Sequence, residues 1–358
     1  MKKTMRAFLL IGTVLAAFIV GTGFFLAWGF LSSPGSSATS REVIYEATPG
    51  KSFLAIANDL QAAGVVKHAQ MFSIYARLTG ERSKIKAGEY LFRTSMTPNE
   101  VLRVLTSGRS VARPFTISEG LNIFEIAQAY ERGGFGRAAE FLAIARDPAT
   151  AKALLGPEVT SLEGYLFPET YQITKFSTTR ELIASMVRRF LSVYRDIENM
   201  GPHSMSRHQI VTFASLIEKE TGAPEERPLI ASVFFNRLRK NMRLQTDPTI
   251  IYGIAVETGK IPNNIRRADI LRPTAYNTYT ISGLPPGPIA NAGRDAFLAA
   301  IKPAQSDYLF FVSRNDGTHI FSRTYEEHNR AVREYQLNPQ AREGKSWRDL
   351  KSRPAGGP

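Results

Sequence analysis

The 358-residue chain is 43% hydrophobic and 22% charged, the composition of a folded globular protein long enough for two or three domains. It has no cysteine, which excludes a disulfide framework and a thiolate metal site. Its formal charge of +13 comes without a basic run longer than two residues, an RNA-binding aromatic motif or zinc-finger spacing, and nucleic acid is therefore not expected as a partner.

Met1–Arg6 carries Lys2, Lys3 and Arg6, and Ala7–Leu31 then runs for 25 positions without a charge. A helix needs about 20 residues to cross a bilayer, whereas the apolar run of a cleaved signal peptide takes about 7–15. The expectation is an uncleaved single-pass anchor, its basic end cytoplasmic and Trp28 and Phe30 at the far interface.

Ser32–Ser40 is small and polar and reads as a flexible stalk. A weak repeat follows at an offset of 70 residues, Thr48–Ala57 (TPGKSFLAIA) recurring as Ser118–Ala127 (SEGLNIFEIA). Each copy follows an alternating stretch, Val43–Ala47 or Phe115–Ile117. Each continues as a short amphipathic helix and ends at a glycine beside an apolar residue, Gly64-Val65 or Gly134-Phe135. Gly88–Tyr90 with Met96–Gly108 makes a partial third copy. Strand, glycine turn and short helix form a module whose helix face must pack on a neighbour. These modules resemble LysM modules, which bind N-acetylglucosamine polymers; a plain spacer fits the pattern equally well.

Glu163–Tyr171 (EGYLFPETY) is a polar–aromatic loop, suited either to line a sugar groove or to form a buried aromatic turn. Arg180–Asn199 has the apolar spacing of a scaffold helix, with Leu182, Met186, Phe190, Val193 and Tyr194 inward. In the next helix Ser206 and Gln209 have capping-box spacing, and Gly222 and Pro224 supply the stop. Ile210, Phe213, Ala214, Ile217 and Thr221 form its buried stripe. Glu218 borders that stripe. A carboxylate against an apolar wall loses hydration, its pKa rises, and it becomes a candidate general acid. Glu220 lies about 200° round the helix, so the two carboxylates cannot serve one site equally.

Glu225–Lys240 reads as a further helix whose late Asn236 and Arg237 are either caps or substrate contacts. Gln245, Thr246 and Asp247 crowd three hydrogen-bonding side chains before a proline-initiated helix, where Asp247 could simply be an N-cap. Tyr276–Asn291 is too rich in Pro and Gly for a helix or central strand and reads as a site-lining wall. Tyr308–Val312 and Gly317–Phe321 read as a hairpin, and Tyr325–Arg333 as a helix bearing His328 and Asn329.

The five histidines form no H-x-x-x-H pair, and neither a G-x-S-x-G elbow nor a phosphate-binding glycine loop is present. What remains is carboxylate chemistry on a polar polymer, with no metal and no cofactor expected. A two-carboxylate glycosidase would pair Glu218 with Asp247 or Glu163. A single-carboxylate enzyme would use one Glu as acid and then as base on a hydroxyl of the substrate itself, with Gln245, Thr246 and Asn277 orienting the sugar. The residues leave both open.

The runs Glu163–Tyr171, Ala214–Thr221, Leu244–Gly253 and Tyr276–Asn291 resemble the signature blocks of the YceG-like (MltG) family of membrane-anchored endolytic murein transglycosylases. The sequence departs from the family pattern at Ala275, where Pro is expected, and at Ala292, where N-P-G is commoner. The resemblance implies endolytic cleavage of MurNAc–GlcNAc bonds in nascent peptidoglycan, leaving 1,6-anhydroMurNAc ends and terminating glycan elongation. It implies catalysis by Glu218. The candidate substrate-binding residues are Glu163, Tyr165, Gln245, Thr246, Asp247, Tyr276, Asn277, Tyr279 and Asn291. Peptidoglycan strands and the inner membrane are the implied partners, with peptidoglycan synthases as further candidates and the catalytic domain in the periplasm. The competing reading is a non-catalytic peptidoglycan-binding scaffold of the cell-wall synthesis machinery. The expected architecture is α+β. It comprises a cytoplasmic tip and single N-terminal transmembrane helix (1–31), a stalk (32–42), small LysM-like strand/helix modules (43–160), a mixed α+β catalytic domain (161–336) and a polar tail (337–358).

Overall fold

In the computed structural model the described residues are 40–201 and 204–338, together with 13, 18, 21–23, 25 and 28–35. The chain divides into two compact units, one drawn from Met1–Arg113 and Gln172–Ser177, the other from Pro114–Tyr171 and Thr178–Pro358. In the first, β1 (Glu42–Ala47) pairs antiparallel with β2 (Gly88–Arg93). The helices α1 (Phe53–Ala62), α2 (Ala69–Leu78) and α3 (Pro98–Ser107) complete it. Ser52 caps α1, and Thr97 with Glu100 forms a reciprocal capping box on α3, so each chain reversal is marked by a side chain that satisfies open helix amides. Phe53, Leu60, Phe72, Tyr90, Phe92 and Leu105 fill the core.

That core bears on the expected membrane helix over Ala7–Leu31. Most of the stretch lies outside the described residues, and no helix among those described is long and apolar enough to cross a membrane. In the part that is described, Phe30 is 9% exposed and packs into the core of the first unit, edge-on to Tyr75 with ring centroids 6.3 Å apart. A ring buried in protein is not an interfacial anchor. Among the described residues the expected transmembrane helix is therefore not found, and the inner membrane as partner and the single-pass inner-membrane placement with a periplasmic domain lose the feature they rested on. What the described residues do support is an α+β arrangement, in which helices are joined to two-stranded ribbons.

The second unit contains α4 (Ile123–Arg132), α5 (Ala138–Ala145), α6 (Pro148–Leu155), α7 (Thr179–Ile197), α8 (Arg207–Glu220) and α9 (Arg227–Arg239). There follow α10 (Asp247–Thr258), α11 (Arg267–Leu271), α12 (Arg294–Ile301), the hairpin β5 (Phe310–Ser313) and β6 (His319–Ser322), and α13 (Tyr325–Val332). Strands β3 (Ala112–Thr116) and β4 (Thr170–Thr174) pair with each other. The unit is built around α8, whose expected capping box of Ser206 and Gln209 is present. The expected apolar stripe proves too narrow, because every residue from 210 to 217 is buried where α9, α10 and α12 pack around the helix. A helix enclosed on all sides can offer chemistry only at its ends. The C-terminal end carries Glu218, Lys219 and Glu220.

Candidate active site

Glu218 and Glu220 have different neighbours. The Glu218 side chain is 7% exposed; its Oε1 lies 3.4 Å from Arg227 Nη2 and its Oε2 accepts the Gly293 amide at 3.2 Å. The same guanidinium nitrogen lies 3.4 Å from Glu119 Oε2, so two carboxylates share one cation. Burial, and then the charge of Glu218, push the Glu119 carboxyl above its ordinary value against the pull of Arg227. A Cβ at position 293 would stand 1.8 Å from Glu119 Oε1, so any side chain there would displace the Glu119 carboxylate from its place beside Arg227. Lys219 Nζ donates to the Gly120 carbonyl at 3.1 Å, closing residues 118–121 onto the helix end. Glu119 and Arg227 are members of this cluster that the sequence reading missed. The one signal was the glycine turn of the second repeat copy, which reads as backbone geometry alone.

Glu220 opens instead on a cavity of about 340 Å³. Gln245 and Asp247 reach this cavity from the start of α10, Tyr279 from the following loop, Phe310 from β5, and Tyr325 and His328 from α13. The Thr246 hydroxyl donates to Glu220 Oε1. Burial pushes the Glu220 carboxyl up, the Thr246 bond partly offsets this, and the charge of Asp247 adds to the rise. Tyr279 donates its hydroxyl to Asp247 Oδ1 at 2.7 Å. Asp247 is not the N-cap of α10; Thr246 holds that position and makes no side-chain cap bond. Gln245 has φ of 53°, left-handed for a residue with a Cβ. Such a backbone costs roughly 1–3 kcal/mol and persists only where its surroundings enforce it, here through the Gln245 amide to the Thr278 carbonyl at 3.2 Å.

Other residues singled out from the sequence are spent inside the protein. Glu163, Tyr165, Asn277 and Asn291 are all buried, at 2% exposure or less. Glu163 accepts from the amides of Ile123 at 2.9 Å and Gly164 at 3.2 Å and from Asn291 Nδ2 at 3.0 Å. Burial nevertheless pushes its pKa up to about 8. Asn291 Oδ1 takes the Leu166 amide at 2.8 Å. The Tyr165 hydroxyl meets His208 Nδ1 at 2.8 Å, and His208 Nε2 meets the Pro286 carbonyl at 2.9 Å. A carbonyl only accepts, so Nε2 carries the ring proton and Nδ1 accepts from the tyrosine. Asn277 Nδ2 donates to the carbonyls of Ile270 at 3.0 Å and Arg272 at 2.7 Å, closing the end of α11. Tyr276 is half-buried, edge-on to Tyr252 at 4.9 Å, and burial with the nearby Glu163 pushes its hydroxyl up to about 12. Asn236 and Arg237 hold backbone carbonyls of Ser306, at 2.7 Å, and Leu309, at 2.6 Å. Gln245, Thr246, Asp247 and Tyr279 thus gather at Glu220, whereas Glu163, Tyr165, Asn277 and Asn291 bind loops to one another.

Residues 45–334 match the model of the YceG-like family. The chain belongs to that family. Two relatives are named endolytic murein transglycosylases. That of Bacillus subtilis (strain 168) is 34% identical over 335 residues, which is 88% of this chain and 91% of the relative. That of Streptococcus pneumoniae (strain ATCC BAA-255 / R6) is 31% identical over 367 residues, 92% of this chain but only 65% of the relative's length. A 2.6 Å crystal structure of a yceG-like protein from Listeria monocytogenes matches with a TM-score of 0.54 at 33% identity, covering 82% of this chain and 100% of that one. Within this YceG-like chain, two of the runs that carry the family resemblance, residues 214–221 and 244–253, supply Glu220, Leu244, Gln245 and Asp247 to a single cavity.

Proposed function

We propose that this protein is an endolytic lytic transglycosylase of peptidoglycan. Its kinship with endolytic murein transglycosylases supports lytic transglycosylase activity in general. The finer reading is cleavage of MurNAc–GlcNAc bonds within a nascent strand to leave 1,6-anhydroMurNAc ends, ending elongation beside a synthase. In this reading the LysM-like region, 43–160, presents the strand to the catalytic domain, 161–336. One observation carries the chemistry: Glu220, its carboxyl pushed up by burial, opens on a cavity lined by Gln245, Asp247, Tyr279 and aromatic rings.

A carboxyl whose pKa is raised by burial is a better proton reservoir than a free one, and its proton can go to the glycosidic oxygen as the bond to the anomeric carbon breaks. The carboxylate so formed then takes the proton of the sugar's own C6 hydroxyl while that oxygen closes on the anomeric carbon. The acid is regenerated and no water is consumed. Asp247 places negative charge where the oxocarbenium-like state develops positive charge. A second reading keeps Glu218 as the acid, as the family resemblance implies, with Glu119, its carboxyl raised by burial and by the charge of Glu218, across Arg227 from it.

Mass spectrometry of the products from uncrosslinked murein strands separates these readings. The wild type is expected to give ends lighter by one water than hydrolytic ends. Glu220→Gln is expected to lose about 10²–10⁴-fold in turnover, with Glu218→Gln keeping most of it. The reverse ranking moves the acid to Glu218. Water-containing ends mean a hydrolase, and strand binding without cleavage by the wild type means a scaffold.

A further inference from the structure

On the Glu218 side of the α8 end, two carboxylates face one cation. Glu218 Oε1 and Glu119 Oε2 each lie 3.4 Å from the same nitrogen, Arg227 Nη2. A full charge-assisted bond runs about 2.7–2.9 Å, so the guanidinium stands between the two carboxylates and closes on neither. Among the described residues it has no other hydrogen-bond partner, and its Nε is buried without one. Glu119 is set in place by the fold. The Gly120 amide donates to the Asn291 carbonyl at 2.9 Å, the Asn291 amide to the Leu121 carbonyl at 2.8 Å, and Lys219 Nζ to the Gly120 carbonyl at 3.1 Å. The bare Cα of Gly293 leaves the space that the Glu119 carboxylate fills, while the Gly293 amide donates to Glu218 Oε2 at 3.2 Å.

Charges reach the pair from each element packed on it. Arg227 on α9 is the cation, Asp295 in the first turn of α12 adds negative charge, and Lys219 of α8 directs its ammonium to the Gly120 carbonyl. Burial, and then the charge of Glu218, push the Glu119 carboxyl up. Two carboxylates on one guanidinium titrate as a pair, and a single proton neutralises the three groups. A carboxyl in a full ion pair with that guanidinium would be held ionised and would have no proton to give. We propose that Glu119 is a positioning residue: by holding part of the Arg227 guanidinium it keeps Glu218 out of a full ion pair and leaves it able to act as the acid. This rests on the reading that keeps Glu218 as the acid. Glu119 acts through Arg227 and is not required to touch the sugar.

The test follows kcat/KM against pH for the full chain and its Glu119→Gln and Glu119→Asp variants on uncrosslinked murein strands, with Tm measured alongside. Glu119→Gln keeps the size of the side chain and removes its charge, which releases Arg227 to close on Glu218. The alkaline limb of the profile, where the acid loses its proton, is expected to move down by about one pH unit, a loss of about tenfold above the limb. Glu119→Asp keeps the charge on a side chain one methylene shorter and should reverse most of that shift. An alkaline limb that stays in place in Glu119→Gln overturns the proposal. So does an equal loss at every pH with a lower Tm, which would mark Glu119 as structural. Full turnover in Glu218→Gln would instead overturn the reading of Glu218 as the acid, and that result is read without any Glu119 variant.

Discussion

The strand–turn–helix pattern is built twice, at residues 48–57 and 118–127, and the two copies have the same local construction in different surroundings. Ser52 caps α1 by accepting the Ala55 amide at 3.3 Å. Asn122 caps α4 by accepting the amides of Phe124 and Glu125, both at 3.0 Å. The turns match closely, with φ of 80° at Gly50 and 79° at Gly120. A Cβ on Gly50 would meet nothing within 4 Å, whereas one on Gly120 would lie 3.7 Å from Glu218 Cγ and 3.9 Å from Lys219 Cδ. In the second copy the Gly120 amide also donates to the Asn291 carbonyl at 2.9 Å, and the Asn291 amide returns a bond to the Leu121 carbonyl at 2.8 Å. One copy closes a small core. The other is fixed to the end of the helix that carries both candidate acids. Local sequence code makes the module, and what packs on its turn decides its part in the chemistry.

The strongest way to break the second copy is at Glu163, since the first copy has no comparable buried carboxylate at the start of its helix. Glu163→Ala would leave the amides of Ile123 and Gly164 and the side chain of Asn291 without their acceptor in a dry place. A stability loss of about 3 kcal/mol is expected in urea unfolding. The pH dependence has a definite sign. Folded Glu163 holds its proton up to about pH 8, while an unfolded glutamate releases it near 4.5, so the folded state binds more protons between those values. Its contribution therefore favours folding below about pH 4.5 and declines as pH rises through about 8, and Glu163→Gln should flatten that slope. Identical slopes in the two proteins would show that the carboxyl does not carry the proton.

The caps come next in size. Asn122→Ala is expected to cost about 1–2 kcal/mol, because two amides lose their acceptor, and Ser52→Ala about 0.5–1 kcal/mol. Equal losses in urea unfolding would mean that the extra amide bond of the second copy adds nothing.

Features of this local kind were legible from the sequence: the repeat itself, the Ser206–Gln209 capping box, the β5–β6 hairpin and α13. The all-round burial of α8 was not, because Thr212 and Ser215 look like a polar face. Their hydroxyls bond back to the helix carbonyls of His208 at 2.8 Å and Thr212 at 2.7 Å, and Ser215 Oγ also accepts the Ile289 amide at 3.1 Å, so both are buried with their polar atoms satisfied. Glu163, Asn277 and Asn291 read as substrate contacts for a related reason. A polar side chain in an irregular loop is needed equally by a ligand and by the loop's own backbone, and only the fold shows which one takes it. The apolar run ending at Leu31 showed the same ambiguity, since Phe30 is as suited to a protein core as to lipid.

The smallest expected effect isolates function from stability. Gly50→Ala and Gly120→Ala each force a side chain into the left-handed region and should each cost about 1 kcal/mol. The added methyl at Gly120 makes only ordinary contacts, so the two losses should be nearly equal. The difference is expected in cleavage rate, compared at conditions where both variants are fully folded. At Gly120 the strained left-handed backbone also offers the carbonyl that Lys219 Nζ holds, so relaxation of that strain should move the helix end that also carries Glu220 and lower kcat a few-fold. Gly50→Ala should leave kcat unchanged. A fall in both variants would mean that the first copy also contributes to catalysis. Unchanged rates in both would mean that the contact at Gly120 anchors the helix without setting the position of the acid.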